Sequence, residues 1–190
     1  VRVIPNFVDV ERLRPGATGN AYRDEFGLGD QTVVMYAGNI GFSQPLELMI
    51  EAARHHRGRD DLVFVINGGG SGRAALETAA ADIHVIALRR GLARSSVPSK
   101  LYSILAAGRP VLASIDPGTE VTRVLERTEA GMTVPPDDVD ALTAGIERII
   151  AADRDTMGRN GRAFVEAWVS PAGVAAAYID LFEDLGAPRA

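Results

Sequence analysis

The chain has 190 residues, 46% of them hydrophobic, and a formal charge of −5, which fits one globular domain with a real core. The acidic balance argues against a nucleic-acid binder, because such a protein needs a basic field to displace counterions. With no cysteine, disulfide staples and thiolate metal sites are excluded, and no apolar run approaches the ~20 residues a membrane-spanning helix needs.

Residues 1–15 open on Val1-Arg2-Val3-Ile4-Pro5-Asn6-Phe7-Val8-Asp9. They read as an extended strand running into a Pro-Asn turn, as if cut from something longer. From Gln31 onward, short apolar runs alternate with helical stripes. Residues 32–37 predict a strand, and Leu46, Met49, Ile50 and Ala53 recur at helical spacing. A second strand is predicted over 62–66, then Asn67-Gly68-Gly69-Gly70-Ser71-Gly72 and a short Ala-rich helix, then a third strand over 82–88. A helix over 99–107, a strand over 110–115, a helix over 119–127 and a strand over 132–134 follow. Three helices, over 139–151, 154–168 and 171–185, close the chain. Alternation of this kind predicts an α/β, Rossmann-like, doubly wound parallel sheet covered on both faces.

Ligands of such sheets bind beyond the carboxyl ends of the strands, so the strand-to-helix loops are where chemistry is expected. In the first, Gly38-Asn39-Ile40-Gly41-Phe42-Ser43-Gln44, the glycines let a ligand approach backbone N–H groups, and Ser43 or Gln44 before Pro45 reads as a helix cap. A phosphate seat and a plain tight turn both fit that loop. The glycines after the second strand do not make a dinucleotide fingerprint, because Arg73 stands where the third glycine belongs and the loop follows the wrong strand. A nicotinamide or flavin site is therefore not expected.

All but one of the 20 basic residues are arginine; the exception is Lys100, in Val97-Pro98-Ser99-Lys100-Leu101-Tyr102 at a predicted helix start. A compact, mobile ammonium there suits an anion. Arg89, Arg90 and Arg94 crowd the loop before it, and together the four cations could neutralise a diphosphate without a metal. No metal site is expected: His55 and His56 are adjacent in a helix, His84 lies in a strand, and Asp137-Asp138-Val139-Asp140 fits a helix start better than a metal cluster. No cofactor and no Ser-His-Asp set is read. Trp168 and the phenylalanines are expected on core faces.

Four segments, Val3 to Asp9, Val34 to Gly41, Val97 to Ser114 and Ala130 to Pro136, resemble in order the carboxyl-terminal half of family 4 (group 1) glycosyltransferases. In that family two Rossmann-like domains face each other in the GT-B arrangement. The resemblance implies that this chain is one half of a GT-B fold, the half that binds the sugar-nucleotide donor, and its Gly-Asn-Ile-Gly and Pro-Ser-Lys-Leu-Tyr variants look most like the fucosyl- or N-acetylfucosaminyl-type bacterial polysaccharide enzymes. It implies residues 1–15 as interdomain strand and linker, 16–170 as the donor-binding domain, and 171–190 as a helix crossing toward the amino-terminal domain.

The candidate catalytic residues are Lys100, which the resemblance sets at the helix start near the diphosphate, Arg90 from the basic loop, and Glu120, which falls in the loop facing the cleft as a substitute for a family glutamate that this sequence lacks. Gly38, Asn39, Gly41, Gln44, Asn67, Gly68, Gly69, Ser95, Pro98, Ser99, Leu101, Ser103, Asp116 and Thr119 are assigned to the donor. Its partners would be a nucleoside diphosphate-sugar and a glycan or lipid-linked acceptor held mainly by the amino-terminal domain, with transfer retaining, metal-independent and serving cell-surface polysaccharide synthesis. The full-length enzyme is expected in the cytoplasm, with room for peripheral association at the inner face of the plasma membrane, and this piece alone is expected to be inactive. The sequence also departs from the family. Asn39 and Gln44 stand near places where many members have Arg and Lys, and Ser95 and Ser103 occupy the positions of a glutamate pair. Only residues 71–81 fill a stretch where the family has another strand and helix. Two alternatives stay open: a sugar-nucleotide epimerase of the same fold, with Glu120 in acid–base chemistry, and a non-catalytic nucleotide-sugar-binding module.

Overall fold

The computed structural model describes residues 4–16, 21–68, 78–93 and 99–186; the expectations at Gly69, Arg94, Ser95 and Pro98 lie outside them. In chain order the elements are α1 (Ala21–Phe26), β1 (Thr32–Ala37), α2 (Glu47–His55), β2 (Leu62–Asn67), β3 (Ile83–Ala87), α3 (Lys100–Ala106), β4 (Val111–Ser114), α4 (Glu120–Thr128), β5 (Gly131–Val134), α5 (Val139–Ile150), α6 (Arg154–Trp168) and α7 (Pro171–Asp184). Residues 78–80 are also helical. The five strands form one parallel sheet in the order β2-β1-β3-β4-β5. Parallel neighbours need crossovers, and the helices that supply them cover both faces, which is why β3 reads as five buried residues in a row.

Period-2 alternation sorts the strand side chains between the two faces. Val34, Tyr36, Val85, Ala87 and Leu112 pack under α2 and α5, against Met49, Ala52, Leu142 and Ile146. Ile86, Val111 and Ala113 pack under α3, α4 and α6, against Leu101, Leu105, Leu125 and Val165. Helix α6 lies so close to the α3–β4 turn that a Cβ on Gly158 would sit 2.1 Å from the Gly108 carbonyl oxygen.

Four helix starts among the described residues obey ordinary capping chemistry: the side chains of Thr119, Asp138, Asp153 and Ser170 accept from the backbone N–H groups of Thr122, Ala141, Thr156 and Gly173. Asp138 thus accounts for part of the acidic run at 137–140 as a helix start. The first loop differs from expectation. Helix α2 begins at Glu47 with Leu46 in the cap position and no side-chain cap, while the Gln44 N–H donates to the Gly41 carbonyl in a separate turn. Pro45 and the turn before it delay the helix by almost one turn.

Two arginines, Arg23 buried and Arg162 partly so, do structural work that composition did not reveal. Arg162 on α6 donates to the carbonyls of Val10 (3.0 Å), Leu13 (2.5 Å) and Ala106 (2.7 Å) and to the Glu166 carboxylate (2.6 Å). It ties residues 10–13 to the far end of α3, and Val8 enters the core beside them. Arg23 similarly collects the carbonyls of Gly29, Gln31 and Ala80 and the Asp82 carboxylate. The aromatic residues correct the sequence reading. Phe64 and Phe164 pack against the core, but Phe7, Phe26, Phe42, Trp168 and Phe182 are exposed. Phe7 and Phe42 lie outside helices and strands, and for Phe26, Trp168 and Phe182 helical spacing did not tell which face would be covered.

Candidate functional site

Strand β1 lies between β2 and β3, so the chain leaves it in one direction and returns on its other side, opening a crevice at the carboxyl ends of β1 and β3. Lys100 reaches into that crevice from the first position of α3. Its Nζ donates to the Ala37 carbonyl at 3.3 Å and stands 3.6 Å from the centroid of the Tyr36 ring. Burial pushes the ammonium down to about 8 from its ordinary 10.5, since leaving water disfavours the charged form. Among the described residues no carboxylate pairs with it. Helix α3 has only seven residues, and Ser99 makes no side-chain cap bond. The electrostatic attraction for an anion therefore comes from the ammonium rather than from a helix terminus.

The glycine loop closes over this cation. Gly38 has φ +146°, and a Cβ there would lie 3.1 Å from the Lys100 Nζ, so a side chain at this position would crowd the ammonium. The Gly38 N–H donates to the Asn67 carbonyl at 3.0 Å, and the Tyr36 hydroxyl donates to the Asn39 carbonyl at 2.6 Å. At Gly68 a Cβ would meet Ile40 Cδ1 at 2.6 Å. Gly38, Asn39, Asn67, Gly68 and Lys100 thus come together in space. Gly41 and Gln44 form the turn that follows.

The basic third loop divides in two. Arg89 is spent on structure: its guanidinium donates to the Phe42 carbonyl (2.7 Å) and the Glu47 carboxylate (2.6 Å), and its plane lies over the Phe42 ring. This corrects the picture of three arginines converging with Lys100. Arg90 borders a cleft of about 530 Å³ beside the ends of β3 and β4, together with Gly91, Asp116, Thr119, Glu120 and Arg123. One Arg90 nitrogen donates to the Pro136 carbonyl at 3.1 Å, and Asp116 accepts from the Gly91 N–H at 2.6 Å. Glu120 accepts from Arg123 at 3.4 Å, and Thr119 caps α4.

Ser99 is exposed and Ser103 half-buried, whereas the Leu101 side chain is sealed in the core, leaving only its backbone for a ligand. Sequence reasoning missed two residues. Tyr36 looked like one more apolar strand position, and Arg123 like one more surface arginine on a helix. No group of His, Asp or Glu with metal-binding geometry occurs among the described residues. Burial holds His84 down at about 4, hence neutral, with its Nε2 3.0 Å from the Thr78 carbonyl. Among the described residues no helix is long and apolar enough to cross a membrane.

No protein-family model matches the chain. The chain is similar to the protein named as the colanic acid biosynthesis glycosyl transferase WcaI of Escherichia coli (strain K12), at 32% identity over 176 residues, which cover 77% of this chain and 43% of WcaI. Among solved structures it superposes on Anabaena HepE in complex with UDP-glucose, with TM-score 0.76, 14% identity, and coverage of 96% of this chain and 57% of that one. It also matches the C-terminal domain of a glycosyl transferase group 1 family protein, LpcC, from Francisella tularensis, with TM-score 0.67 and 16% identity over 86% of this chain and 99% of that one.

This is the fold of a GT-B glycosyltransferase domain. The GT-B domain described here spans less than half the length of WcaI. The 176 aligned residues exceed the 77% of this 190-residue chain that they cover, about 146 residues, so the alignment holds about 30 positions with no counterpart in it.

Proposed function

We propose that the domain is the donor-binding half of a glycosyltransferase that moves a sugar from a nucleoside diphosphate-sugar to a glycan or lipid-linked acceptor in cell-surface polysaccharide synthesis. One observation carries this reading: a half-buried ammonium with no carboxylate partner among the described residues, held under a glycine loop at the β1–β3 crevice. The UDP-glucose bound by HepE, a protein of the same fold, and the polysaccharide enzyme named among the relatives support it.

In this reading the donor diphosphate lies between the Gly38 loop and Lys100, with Arg90 bordering the cleft beside it. As the bond between the sugar C1 and the phosphate oxygen breaks, the electron pair stays on the diphosphate. The acceptor oxygen then bonds to C1 and passes its proton to the departing diphosphate. Lys100 stabilises the negative charge that develops, with no metal called upon and with retention at C1. The acceptor meets the donor from the side of an amino-terminal half; the exposure of Tyr178, Ile179 and Phe182 on α7 supports a place for that half against this helix. The site acts at the cytoplasmic side of the membrane. A fucosyl-type sugar is the finer form of the same proposal.

The test uses the full-length enzyme with UDP-, GDP- and CDP-linked sugars and a lipid-linked acceptor. Lys100→Ala should lower kcat by roughly 100- to 1,000-fold, the usual cost of losing one preorganised charge-stabilising donor. Unchanged turnover would remove the assignment. A free isomerised sugar nucleotide formed without acceptor would favour the epimerase instead.

A further inference from the structure

We propose that Tyr36 is a positioning residue for the candidate site, holding the Lys100 ammonium in place with its ring and the Gly38–Asn39 loop with its hydroxyl. The inference rests on the reading of Lys100 as the phosphate ligand and adds the residue that prepares it. Tyr36 is the fifth residue of β1 and is 1% exposed, so its ring cannot swing out of the crevice. The ring belongs to the core under α2 and α5, yet the ammonium that reaches it comes from α3 on the opposite face of the sheet. The two meet only at the carboxyl end of β1, where the sheet stops and Lys100 can cross over its edge.

The contacts divide the work. At 3.6 Å from the ring centroid, Nζ is well inside the range of cation–π attraction, and partial burial strengthens that attraction. The only hydrogen-bond acceptor that Nζ finds among the described residues is the Ala37 carbonyl at 3.3 Å, one long contact for three N–H donors. The ring therefore provides the principal support for a cation that would otherwise have little reason to point inward. The phenol does something different. Its short bond to the Asn39 carbonyl, at 2.6 Å, fixes the loop whose Gly38 leaves room for the ammonium. One side chain thus fixes both walls of the crevice before any ligand arrives.

The chain has a single lysine, which makes the proposal directly observable. Protein grown on ¹³C-lysine gives one Hε–Cε signal, and it belongs to Lys100. In the ligand-free wild type that signal should lie upfield, shifted by the ring current of an aromatic face, and should titrate near pH 8. Tyr36→Phe keeps the ring and should keep the shift, while weakening UDP only a few-fold through the freed loop. Tyr36→Leu should return the signal to the position of free lysine and weaken UDP tenfold or more. A wild-type signal at the free-lysine position overturns the proposal, and so does a shift that survives in folded Tyr36→Leu. If Tyr36→Leu does not fold, the wild-type and Tyr36→Phe spectra still decide. Failure of the underlying reading looks different: the ring shift is present, but Lys100→Ala binds UDP as well as the wild type does.

Discussion

At the residue scale the chemistry turns on where Lys100 stands. An exposed lysine is a generic attractor of anions; one under a glycine loop, on an aromatic face and depressed to about 8, is a site-specific one whose charge responds to pH. The sign follows from the direction of the shift. In the proposed reading the ammonium, present below pH 8, is what binds phosphate; as pH rises through 8 it is lost, and affinity for UDP should fall in wild type while Lys100→Ala stays weak and flat over the same window. Fluorescence or calorimetric affinities between pH 6.5 and 9.5 check this. Stability runs the other way. The unfolded chain keeps this proton up to 10.5, so the folded state gains stability from Lys100 as pH climbs from 8 toward 10.5. Lys100 was legible in the sequence because it is unique in an arginine-rich chain. Its surroundings were not, since the approach of Tyr36 depends on two faces of a sheet meeting at one strand end.

At the element scale, the periodicities of 2 and 3.6 located all five strands and most helices, because buried parallel strands and amphipathic helices write their burial into the sequence. What they could not write was the start of α2, set by the Gly41–Gln44 turn, or the structural roles of Arg23 and Arg162, which fill otherwise unmet carbonyls through long-range contacts. Nor could periodicity show that Arg89 serves the first loop while Arg90 borders the cleft. The close contact of α6 with the turn after α3 gives a test of the packing. Gly158→Ala would drive a methyl group into the Gly108 carbonyl, 2.1 Å away, and backbone on both sides must move. We expect a loss of about 1–3 kcal/mol and a melting temperature lower by several degrees by calorimetry. An unchanged melting temperature would mean that α6 sits farther from α3 than described here.

At the scale of the whole molecule, the topology does the selecting. Placing β1 between β2 and β3 creates the crevice, and α3 then delivers a cation to it without any charged strand residue being buried in the sheet. An overall acidic chain can in this way hold an anion, because a local arrangement of one ammonium, one ring and a glycine turn outweighs a diffuse charge of −5. The central claim is that this crevice grips the diphosphate of a nucleotide. Calorimetric titration of UDP, uridine and pyrophosphate into the 190-residue chain and its Lys100→Ala variant tests it most directly. The account predicts that UDP and pyrophosphate bind the wild type, uridine binds far more weakly, and Lys100→Ala loses at least tenfold for both phosphate compounds. Equal binding of UDP and uridine, or UDP binding that Lys100→Ala leaves intact, would contradict it.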